Sequence, residues 1–441
     1  MAEDHLGFAG QINFSVLKLI STSGYAVDLQ DYLVEVNIFE DIFQNFLYGN
    51  MMLSDSRNLI SSLPIIGEEY LVIRFETPTL DSFIEKTFKI YSVTDKKTVR
   101  DNNTQIYTLH FCSHEAIVDT LTPLYKPFEG VISDVVQNIY KEFLEIPRTY
   151  IFNNDGQATE SDETTPLYII NETDNRVKFI SPGWSPSKCI NWLATKSIPS
   201  EGKACDFLFW ETTKAFYFSN IEKLISDTED SDIIKGTYFY FPPNVLKPSD
   251  SVTKLFIAEE FDVVKTSDNL VNYVNGYLAS RIITLDVLNK KYDVTDYDYV
   301  DEFSKFKHMS GTNASPLFAS DTLRNAATHI KFYPVNTKLF TKFPDNVSEK
   351  VSQIYGNRLS KLNELNNFTI NILVPGRTDL EAGSLIRFIY PDTEPKESAT
   401  DNPQDKHYSG VYLITAIRHK INLKKHMMII EMVKDSLENN S

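Results

Sequence analysis

Two histidines and a cysteine lie close enough in the sequence to suggest metal chemistry. His110, Cys112 and His114 are spaced two residues apart, which on an extended strand would place all three side chains on one face. Neighbours on one face of a strand are about 6.6 to 7 Å apart along it, so three such ligands cannot easily converge on one ion. The spacing therefore favours a strand end at which Cys112 packs inward, and it predicts no metal site.

Four aspartates form a second candidate, because calcium prefers carboxylate ligands. Asp293, Asp296, Asp298 and Asp301 lie within nine residues of one another. Their spacing lacks the glycine at the sixth position and the glutamate at the twelfth that a helix-loop-helix calcium site requires. The stretch also contains several tyrosines. It predicts an acidic, tyrosine-rich loop and no calcium site.

Signatures of covalent chemistry are missing from the sequence. It contains no G-x-S-x-G nucleophile turn, no G-x-x-x-x-G-K-[ST] phosphate loop and no cysteine in a protease-like setting. Cys112, Cys189 and Cys205 are far apart, which predicts neither a disulfide framework nor a zinc site. Carboxylates are numerous, but a glycosidase pair is recognised only by its separation in space. We predict no catalytic, cofactor-binding or metal-binding residue and no enzymatic activity.

The charge of the chain argues against specific binding of nucleic acid. Its 441 residues carry a formal charge of -17 at pH 7, whereas duplex binding by counterion release needs a basic surface. The densest basic run, Lys420, Lys424, Lys425 and His426, lies between two apolar stretches. This run predicts a solvated hairpin turn.

Neither export nor membrane insertion is predicted. The first residues include Glu3, Asp4 and His5 where a signal peptide would have a basic and then an apolar segment. The longest apolar runs, such as 427–430, are far shorter than the roughly 20 residues needed to cross a bilayer. We therefore expect a soluble chain made in the cytoplasm.

Short alternating segments rich in aromatic and β-branched residues predict a mainly β fold. The chain has 23 tyrosines and 29 phenylalanines, many beside Val, Ile and Thr. Strands are predicted over 26–40, with a break near Asp31, and over 45–53, 70–75, 88–93 and 105–112. They predict a small antiparallel barrel or sandwich within residues 1–123.

The next part of the chain changes to helical spacing. Apolar residues over 131–144 form one stripe and predict a helix. Ser185 and Pro186 offer the N-cap and first position of a second helix, and 207–218 reads as a hairpin with a polar link. These elements predict an α+β insert over 124–225.

An acidic run at 227–232 predicts the boundary to a second β-rich region, 226–366. Within it, a possible extra domain spans 280–345, and apolar spacing predicts a helix over 347–365. The final part, 367–441, is predicted to supply the C-terminal strands of a second barrel.

Two distant segments repeat the same order of residues and predicted elements. Gly67 precedes a strand ending in Ile73-Arg74-Phe75, and Gly383 precedes Ile386-Arg387-Phe388. Each is followed by a strand with apolar residues three apart (90 and 93, 414 and 417), a charged turn and a final alternating strand. The repeat predicts two copies of one barrel. The alternative is that any antiparallel meander resembles another.

Segments in and around these repeats resemble a known family. The run 46–53 (FLYGNMML), with the strand that begins near Tyr70, is similar to the first barrel of central baseplate hub proteins of T-even-like contractile phages. So is 375–383 (PGRTDLEAG) followed by 408–414 (YSGVYLI). Late-control proteins and secretion-system spike-tip proteins look similar in the first part. The resemblance is looser around 184–218, and 280–345 matches nothing in the family.

The resemblance implies a fold class and an assembly. The fold would be mainly β with an α+β insert: two tail-tube-like antiparallel β-barrel domains in one chain, plus smaller inserted domains. A homotrimer of doubled chains would form a pseudo-sixfold ring, because three copies of a doubled unit present six similar surfaces. The ring would adapt a hexameric tail tube to a trimeric central spike.

Partners and location follow from the same resemblance. They are other copies of the chain, the central spike protein, the tail tube or tube-initiator protein, and baseplate wedge and tape measure proteins, in the tail baseplate of a virion. DNA would pass through the bore without specific binding. The acidic charge would either line that bore and repel phosphates or keep the subunit soluble before assembly.

Two other functions stay open. One is a tip or hub component of a phage-related secretion or injection machine. The other is a glycan-binding tail adhesin, in which Trp184, Trp192 and Trp210 would stack on sugars. Because Trp192 lies in a helical segment and Trp210 ends a strand, core positions are favoured for them.

Overall fold

Strands dominate the protein, which confirms the predicted mainly β fold class with an α+β insert. The computed structural model describes residues 6–438 apart from 23, 58, 60–64, 79, 81, 99–103, 148–150, 153–157, 160–162, 227–232, 243–247, 249, 267, 312–313, 318–328, 336–350 and 393–403. One continuous sheet has 14 strands, and the remaining strands form sheets of two or three. The predicted boundary run, 227–232, lies outside the described residues.

The first β unit is an antiparallel sheet that curls around one core. Its strands are β1 (Asn13–Ile20), β2 (Ala26–Asp28), β3 (Leu33–Asp41), β4 (Tyr48–Asp55), β5 (Tyr70–Glu76), β6 (Phe83–Thr98) and β7 (Gln105–Ser113). They pair in the order β2-β1-β5-β6-β7-β4-β3, and side chains from all but β2 form the buried part of a single apolar cluster. A 3-10 turn at Gln30–Tyr32 explains the break in alternation near Asp31.

The insert, together with a helix that precedes its predicted start at 124, contains the predicted helices and hairpin and several further elements. In chain order these are α1 (His114–Leu121), β8 (Pro127–Val131), α2 (Ile132–Phe143), β9 (Ile151–Phe152), β10 (Ala158–Thr159), β11 (Leu167–Ile169), β12 (Arg176–Ile180), α3 (Pro186–Ala194), β13 (Phe207–Glu211), β14 (Phe216–Asn220) and α4 (Ile221–Leu224). As predicted, the Ser185 side chain accepts a hydrogen bond from the Lys188 backbone N–H at the start of α3. Strands β13 and β14 form the predicted antiparallel hairpin.

The C-terminal half contains the second β unit and a separate small sheet. Its elements are β15 (Ile234–Tyr240), α5 (Ser251–Lys254), β16 (Ile257–Ala258), β17 (Glu260–Lys265), α6 (Asn269–Val274), β18 (Ala279–Asp286), β19 (Lys291–Asp298), α7 (Tyr299–Glu302), a 3-10 turn (Phe303–Lys305), β20 (Ala314–Pro316), β21 (His329–Val335), α8 (Val351–Glu364), β22 (Thr369–Pro375), β23 (Leu385–Ile389), β24 (Gly410–Ile421), β25 (His426–Val433) and β26 (Ser436–Glu438). Residues of β15, β16 and β22–β25 share one buried core. Helix α8 leads into β22, as predicted.

The acidic, tyrosine-rich stretch is not a loop, and that prediction was wrong. Residues 291–298 form β19, which pairs along its full length with β18, and β21 lies on the other side of β18. Asp296 accepts hydrogen bonds from Arg281 on the neighbouring strand, and Asp298 accepts one from the Val300 N–H at the start of α7. These aspartates therefore have structural partners across a hairpin and at a helix cap.

The strand order of the first unit recurs in the second. The first unit pairs β3-β4-β7-β6-β5, and the second pairs β17-β22-β25-β24-β23. Both copies carry a bulge at the same place, after Ile90 in the β6–β7 ladder and after Ile414 in the β24–β25 ladder. The predicted duplication is therefore confirmed, whereas the domain limits 1–123, 124–225, 226–366 and 367–441 stay predictions.

The matching tripeptides, however, do not occupy equivalent positions. Aligning the bulges makes Phe88 the counterpart of Tyr412. Phe88 pairs with Leu71, and Tyr412 pairs with Ile386. Leu71, not Ile73, is thus the counterpart of Ile386, so the two Ile-Arg-Phe motifs are offset. The common strand order, and not the shared tripeptide, defines the repeat.

Candidate functional site: the junction between the two repeats

The two β units are joined edge to edge inside the chain. Strand β3 of the first unit pairs antiparallel with the second half of β24, from Ala416 opposite Asp41 to Ile421 opposite Val36. The first half of β24 pairs with β23, and its other side pairs with β25. The second half of β24, from the second unit, therefore extends the sheet of the first unit by one strand.

Charged side chains reinforce this junction on its exposed side. The Lys420 ammonium lies 3.3 Å from the Glu35 carboxylate, and the Arg418 guanidinium lies 3.7 Å from it. Arg418 also donates through Nε to the Asn37 side-chain oxygen at 2.9 Å. Pairs this exposed add little stability each, but they fix which strands meet and in which register.

A fully buried carboxylate lies at the end of the same ladder. Glu40 accepts hydrogen bonds from the backbone N–H groups of Thr213 in the insert, at 2.9 Å, and Ala382 before β23, at 2.8 Å. Its Oε1 is 3.5 Å from His419 Nε2. Burial raises the pKa of the Glu40 carboxyl, but His419 and the two N–H groups outweigh burial and hold the pKa below its usual value. Glu40 thus ties three parts of the chain together as an anion.

Two buried histidines continue this polar chain. His419 Nδ1 and His426 Nε2 are 3.0 Å apart, so one ring donates to the other. Burial, followed by the proximity of His419, holds the pKa of His426 well below its usual value. His426 also packs edge-on against Phe75 of the first unit, with ring centroids 5.5 Å apart. It is therefore a neutral junction residue, which corrects its predicted place in a solvated turn.

The insert is anchored to both β units near the junction. Glu211, at the end of β13, forms an ion pair with Lys86 of β6 at 2.6 Å and accepts a hydrogen bond from Ser113. Trp210, one residue earlier, donates through its indole N–H to the Ala382 carbonyl at 3.3 Å. Trp210 is buried in an apolar cluster that also contains residues of both β units. The insert thus contacts both β units on one side of the junction and holds them together.

A buried polar cluster has the residue types of a metal site. Ligand atoms of His308, Glu364 and Asp435 all lie within 4.8 Å of one another. However, Lys361 forms an ion pair with Glu364 at 2.6 Å, and His308 contacts Asp435 with one ring nitrogen and the Phe303 carbonyl with the other, at 2.9 Å each. Because His308 needs both N–H groups for these contacts, it is not available as a metal ligand. The cluster is a self-contained ion-pair network.

His110, Cys112 and His114, the three residues considered as metal ligands, have separate environments. The strand ends at Ser113, and His114 instead begins α1, where its ring packs edge-on against Tyr70. His110 Nε2 lies 2.8 Å from the Thr94 hydroxyl. Cys112 packs inward, as predicted, and burial together with nearby carboxylates raises the pKa of its thiol to about 12.

The basic run and two of the tryptophans considered as sugar-stacking residues also have structural roles. Lys424 and Lys425 lie in the turn between β24 and β25, as predicted, and both N–H groups donate to the Asn422 side chain. Lys420, which was predicted to lie in the same turn, is instead paired with Asn37 within β24. Trp184 and Trp192 pack against the core of the insert and are partly buried, with ring centroids 5.8 Å apart. These rings thus contribute to packing within the insert.

One signal for the junction was present in the sequence and was missed. Val36, Ile38 and Glu40 alternate along β3, so period two places the carboxylate on the same buried face as its apolar neighbours. A charged residue on a buried strand face needs a partner. The partners lie about 170, 340 and 380 residues away in the chain, and sequence alone does not identify them.

No family model matches the chain, and no curated protein matches its sequence. Solved structures share its arrangement. A tail protein from Neisseria meningitidis MC58 superposes with a TM-score of 0.52 at 11% identity, over 96% of this chain and 97% of that chain. The 43 kDa tail protein of prophage MuSo2 from Shewanella oneidensis gives a TM-score of 0.52 at 9% identity, over 96% of this chain and 99% of that chain.

The chain shares the fold of these two tail proteins. A type VI secretion system component from E. coli aligns less well, with a TM-score of 0.40 at 8% identity over 97% of this chain and 77% of that chain. At these identities the likeness concerns the tail-protein fold alone. Among the helices that the structure describes, none is long and apolar enough to span a membrane.

Proposed function

We propose that this chain is a baseplate hub subunit of a contractile phage tail. Three copies form a pseudo-sixfold ring that adapts a hexameric tail tube to a trimeric central spike and leaves a bore for DNA. The tail-protein fold supports this proposal, and so does the resemblance of 46–53 and 375–383 to hub proteins. The subunit carries out no covalent chemistry in this role.

The observation that carries the proposal is the duplicated unit with its internal junction. Two copies of the same strand order meet edge to edge through β3 and β24, so the chain already contains one contact between neighbouring units of a ring. Repeating the doubled unit three times gives six similar units on a threefold axis. Such a ring matches sixfold symmetry on one face and threefold symmetry on the other.

Several partners belong to this proposal. The spike protein would bind the threefold face, and the tube or tube-initiator protein the pseudo-sixfold face, with wedge and tape measure proteins nearby in the virion baseplate. The net charge of -17 suits a bore through which DNA passes without binding, since like charges repel.

The molar mass in solution tests the proposal. Light scattering on the full chain, alone and mixed with the candidate spike protein, is expected to give three chains per particle or a complex of three hubs with three spikes. Electron micrographs of the same particle should show a ring with six similar lobes. A chain that stays monomeric and does not bind the spike protein would overturn the proposal. Glycan binding by that monomer would favour the function of a tail adhesin.

A further inference from the structure

Several strand edges are open in the part of the chain that the structure describes, and two of them belong to the repeated five-strand units. The first half of β6 pairs with β5, but from Ser92 to Thr98 the same side of β6 faces no strand. Among the described strands, β17 pairs only with β22. In the other copy of the repeat, the equivalent edges are the second half of β24 and the outer edge of β3, which pair with each other.

The aligned ladders identify which residue of β6 corresponds to Lys420. Lys420 lies opposite Met427 in the β24–β25 ladder, and Lys97 lies opposite Ile106 in the β6–β7 ladder. The last pair before the shared bulge is Ile414 with Met432 in one ladder and Ile90 with Phe111 in the other. Met427 lies five residues before Met432, and Ile106 lies five residues before Phe111. Strand β6 has a second bulge, between Thr94 and Lys97, that β24 lacks, so Lys97 and not Lys96 is the counterpart of Lys420.

The same procedure identifies the counterpart of Glu35. Glu35 lies opposite Met52 in the β3–β4 ladder, and Glu260 lies opposite Leu373 in the β17–β22 ladder. Phe111 pairs with Gly49 on its other side, and Met432 pairs with Ile370. Met52 lies three residues after Gly49, and Leu373 lies three residues after Ile370. Glu260 therefore corresponds to Glu35, and Asp262 two residues later corresponds to Asn37.

The charges of the open edges are complementary in this alignment. Inside the chain, Lys420 and Glu35 form an ion pair at 3.3 Å. Their counterparts, Lys97 and Glu260, have the same signs, and both are exposed. Asp262 replaces a neutral asparagine and adds a second negative group opposite Lys97. The basic edge of β6 and the acidic edge of β17 thus suit each other.

We infer that the open edge of β6 pairs antiparallel with β17 of a second copy of this chain, with Lys97 against Glu260 and Asp262. This inference rests on the ring proposed above and names the contact that closes it. The surface on β6 differs from the surface on β17, so each chain offers one of each and the contact is head to tail. Three such contacts alternate with the three β3–β24 junctions around the ring.

Cross-linking tests the register directly. Asn37 and Lys420 are paired across the internal junction, so Asp262 and Lys97 should be paired between chains, with Cα atoms about 4.5 to 5.5 Å apart and within reach of a disulfide. A chain with Lys97→Cys and Asp262→Cys is expected to form a covalent trimer on oxidation. The native cysteines are buried. Lys97→Cys alone is the matched control and should give no covalent trimer.

Charge reversal tests the contact without a cross-link. Lys97→Glu places like charges together and should raise the concentration at which the trimer half-dissociates by about tenfold. Adding Glu260→Lys should restore association. Lys331→Glu, at an exposed lysine of β21, makes the same charge change elsewhere and should leave association unchanged. Light scattering over a dilution series measures each variant, and circular dichroism checks that it is folded.

The outcomes separate this inference from the proposed function. A wild-type chain that stays monomeric with and without the spike protein overturns the hub proposal itself. A wild-type trimer that resists Lys97→Glu and gives no covalent trimer with the cysteine pair leaves the hub in place and overturns the pairing of β6 with β17. Cross-linked open chains of many lengths would overturn the closed ring of three.

Discussion

At the scale of single residues, Glu40 connects more of the molecule than its place at a strand end suggests. Its two oxygens accept backbone hydrogen bonds from the insert and from the second β unit, while the residue itself belongs to the first. A buried anion that is fully paired stabilises a specific arrangement, because losing it leaves its partners without acceptors. Glu40 therefore reports on whether the three parts have docked.

Replacing Glu40 tests this role. Glu40→Ala leaves the Thr213 and Ala382 N–H groups buried without acceptors, and we expect the unit that contains the junction to lose about 3 kcal/mol of stability. Native-state hydrogen exchange of the β3 amides measures this loss. Glu35→Ala, at the exposed end of the same junction, is the matched control and should cost less than about 1 kcal/mol. Equal losses in the two variants would contradict the role.

His308 gives a pH-dependent prediction. Burial lowers the pKa of His308, but its hydrogen bond to Asp435 and the charge of that carboxylate raise it more, so the net pKa lies above 6.5. A raised folded-state pKa stabilises the protein fully below the unfolded value and loses this effect as the pH rises through the folded value. The stability difference between wild type and His308→Gln should therefore be largest below about pH 6.5 and shrink above it.

Thermal unfolding at a series of pH values measures that difference. Wild type and His308→Gln are compared first, and both are then compared in an Asp435→Asn background. Removing the carboxylate removes the main cause that raises the pKa and leaves burial, which lowers it, as the largest effect, so the difference should no longer be largest at low pH. A difference that is constant across the pH range would show that the pKa of His308 is the same in the folded and unfolded protein, and it would contradict the raised pKa.

At the scale of elements, local patterns predicted what local chemistry controls. Helices α2 and α3 follow from an apolar stripe and a Ser-Pro start, and the β13–β14 hairpin follows from alternation around a polar link. Strand β1 lacks this signal, because it buries residues on both faces: Leu17 faces the core of the first unit, and Val16 packs with Val72 in a separate cluster. Alternation therefore fails as a signal where a strand is covered twice.

Strand β19 shows the opposite failure. Its side chains are mostly exposed, so the sequence has no apolar face and reads as a polar loop, although the backbone pairs fully with β18. The junction of β3 with β24 was likewise not predictable, since it joins residues almost 400 positions apart. Pairing partners at that distance depend on the whole fold and not on the local pattern.

The turn before β23 gives a prediction at this scale. Gly383 has φ of +93°, and an added Cβ would lie 3.1 Å from the Trp210 ring. Gly24 has φ of +84°, and the described residues leave open space around it. Both alanine variants should lose about 1 kcal/mol from the left-handed backbone, but Gly383→Ala should lose more, because Trp210 must also move. Scanning calorimetry measures both, and equal losses would show that the Trp210 contact has no effect.

At the scale of the whole molecule, the proposed contact between chains relies on exposed charges and should depend on salt. The screening length falls from about 10 Å at 0.1 M salt to about 3 Å at 1 M. We expect the fraction of trimer at a fixed concentration to fall over this range. Lys97→Gln should show a weaker dependence, because it removes the charge on one side. Sedimentation velocity measures the fraction, and identical salt dependence in both proteins would contradict the contact.

The junction between β3 and β24 lies within a single chain, and this affects how a ring would accumulate. A junction formed during folding behaves as if its two halves were present at very high local concentration, so it does not depend on the supply of subunits. A ring of three doubled chains needs two association events, whereas a ring of six single units would need five. By mass action its yield falls with the third power of dilution instead of the sixth, which favours complete rings where few copies are made.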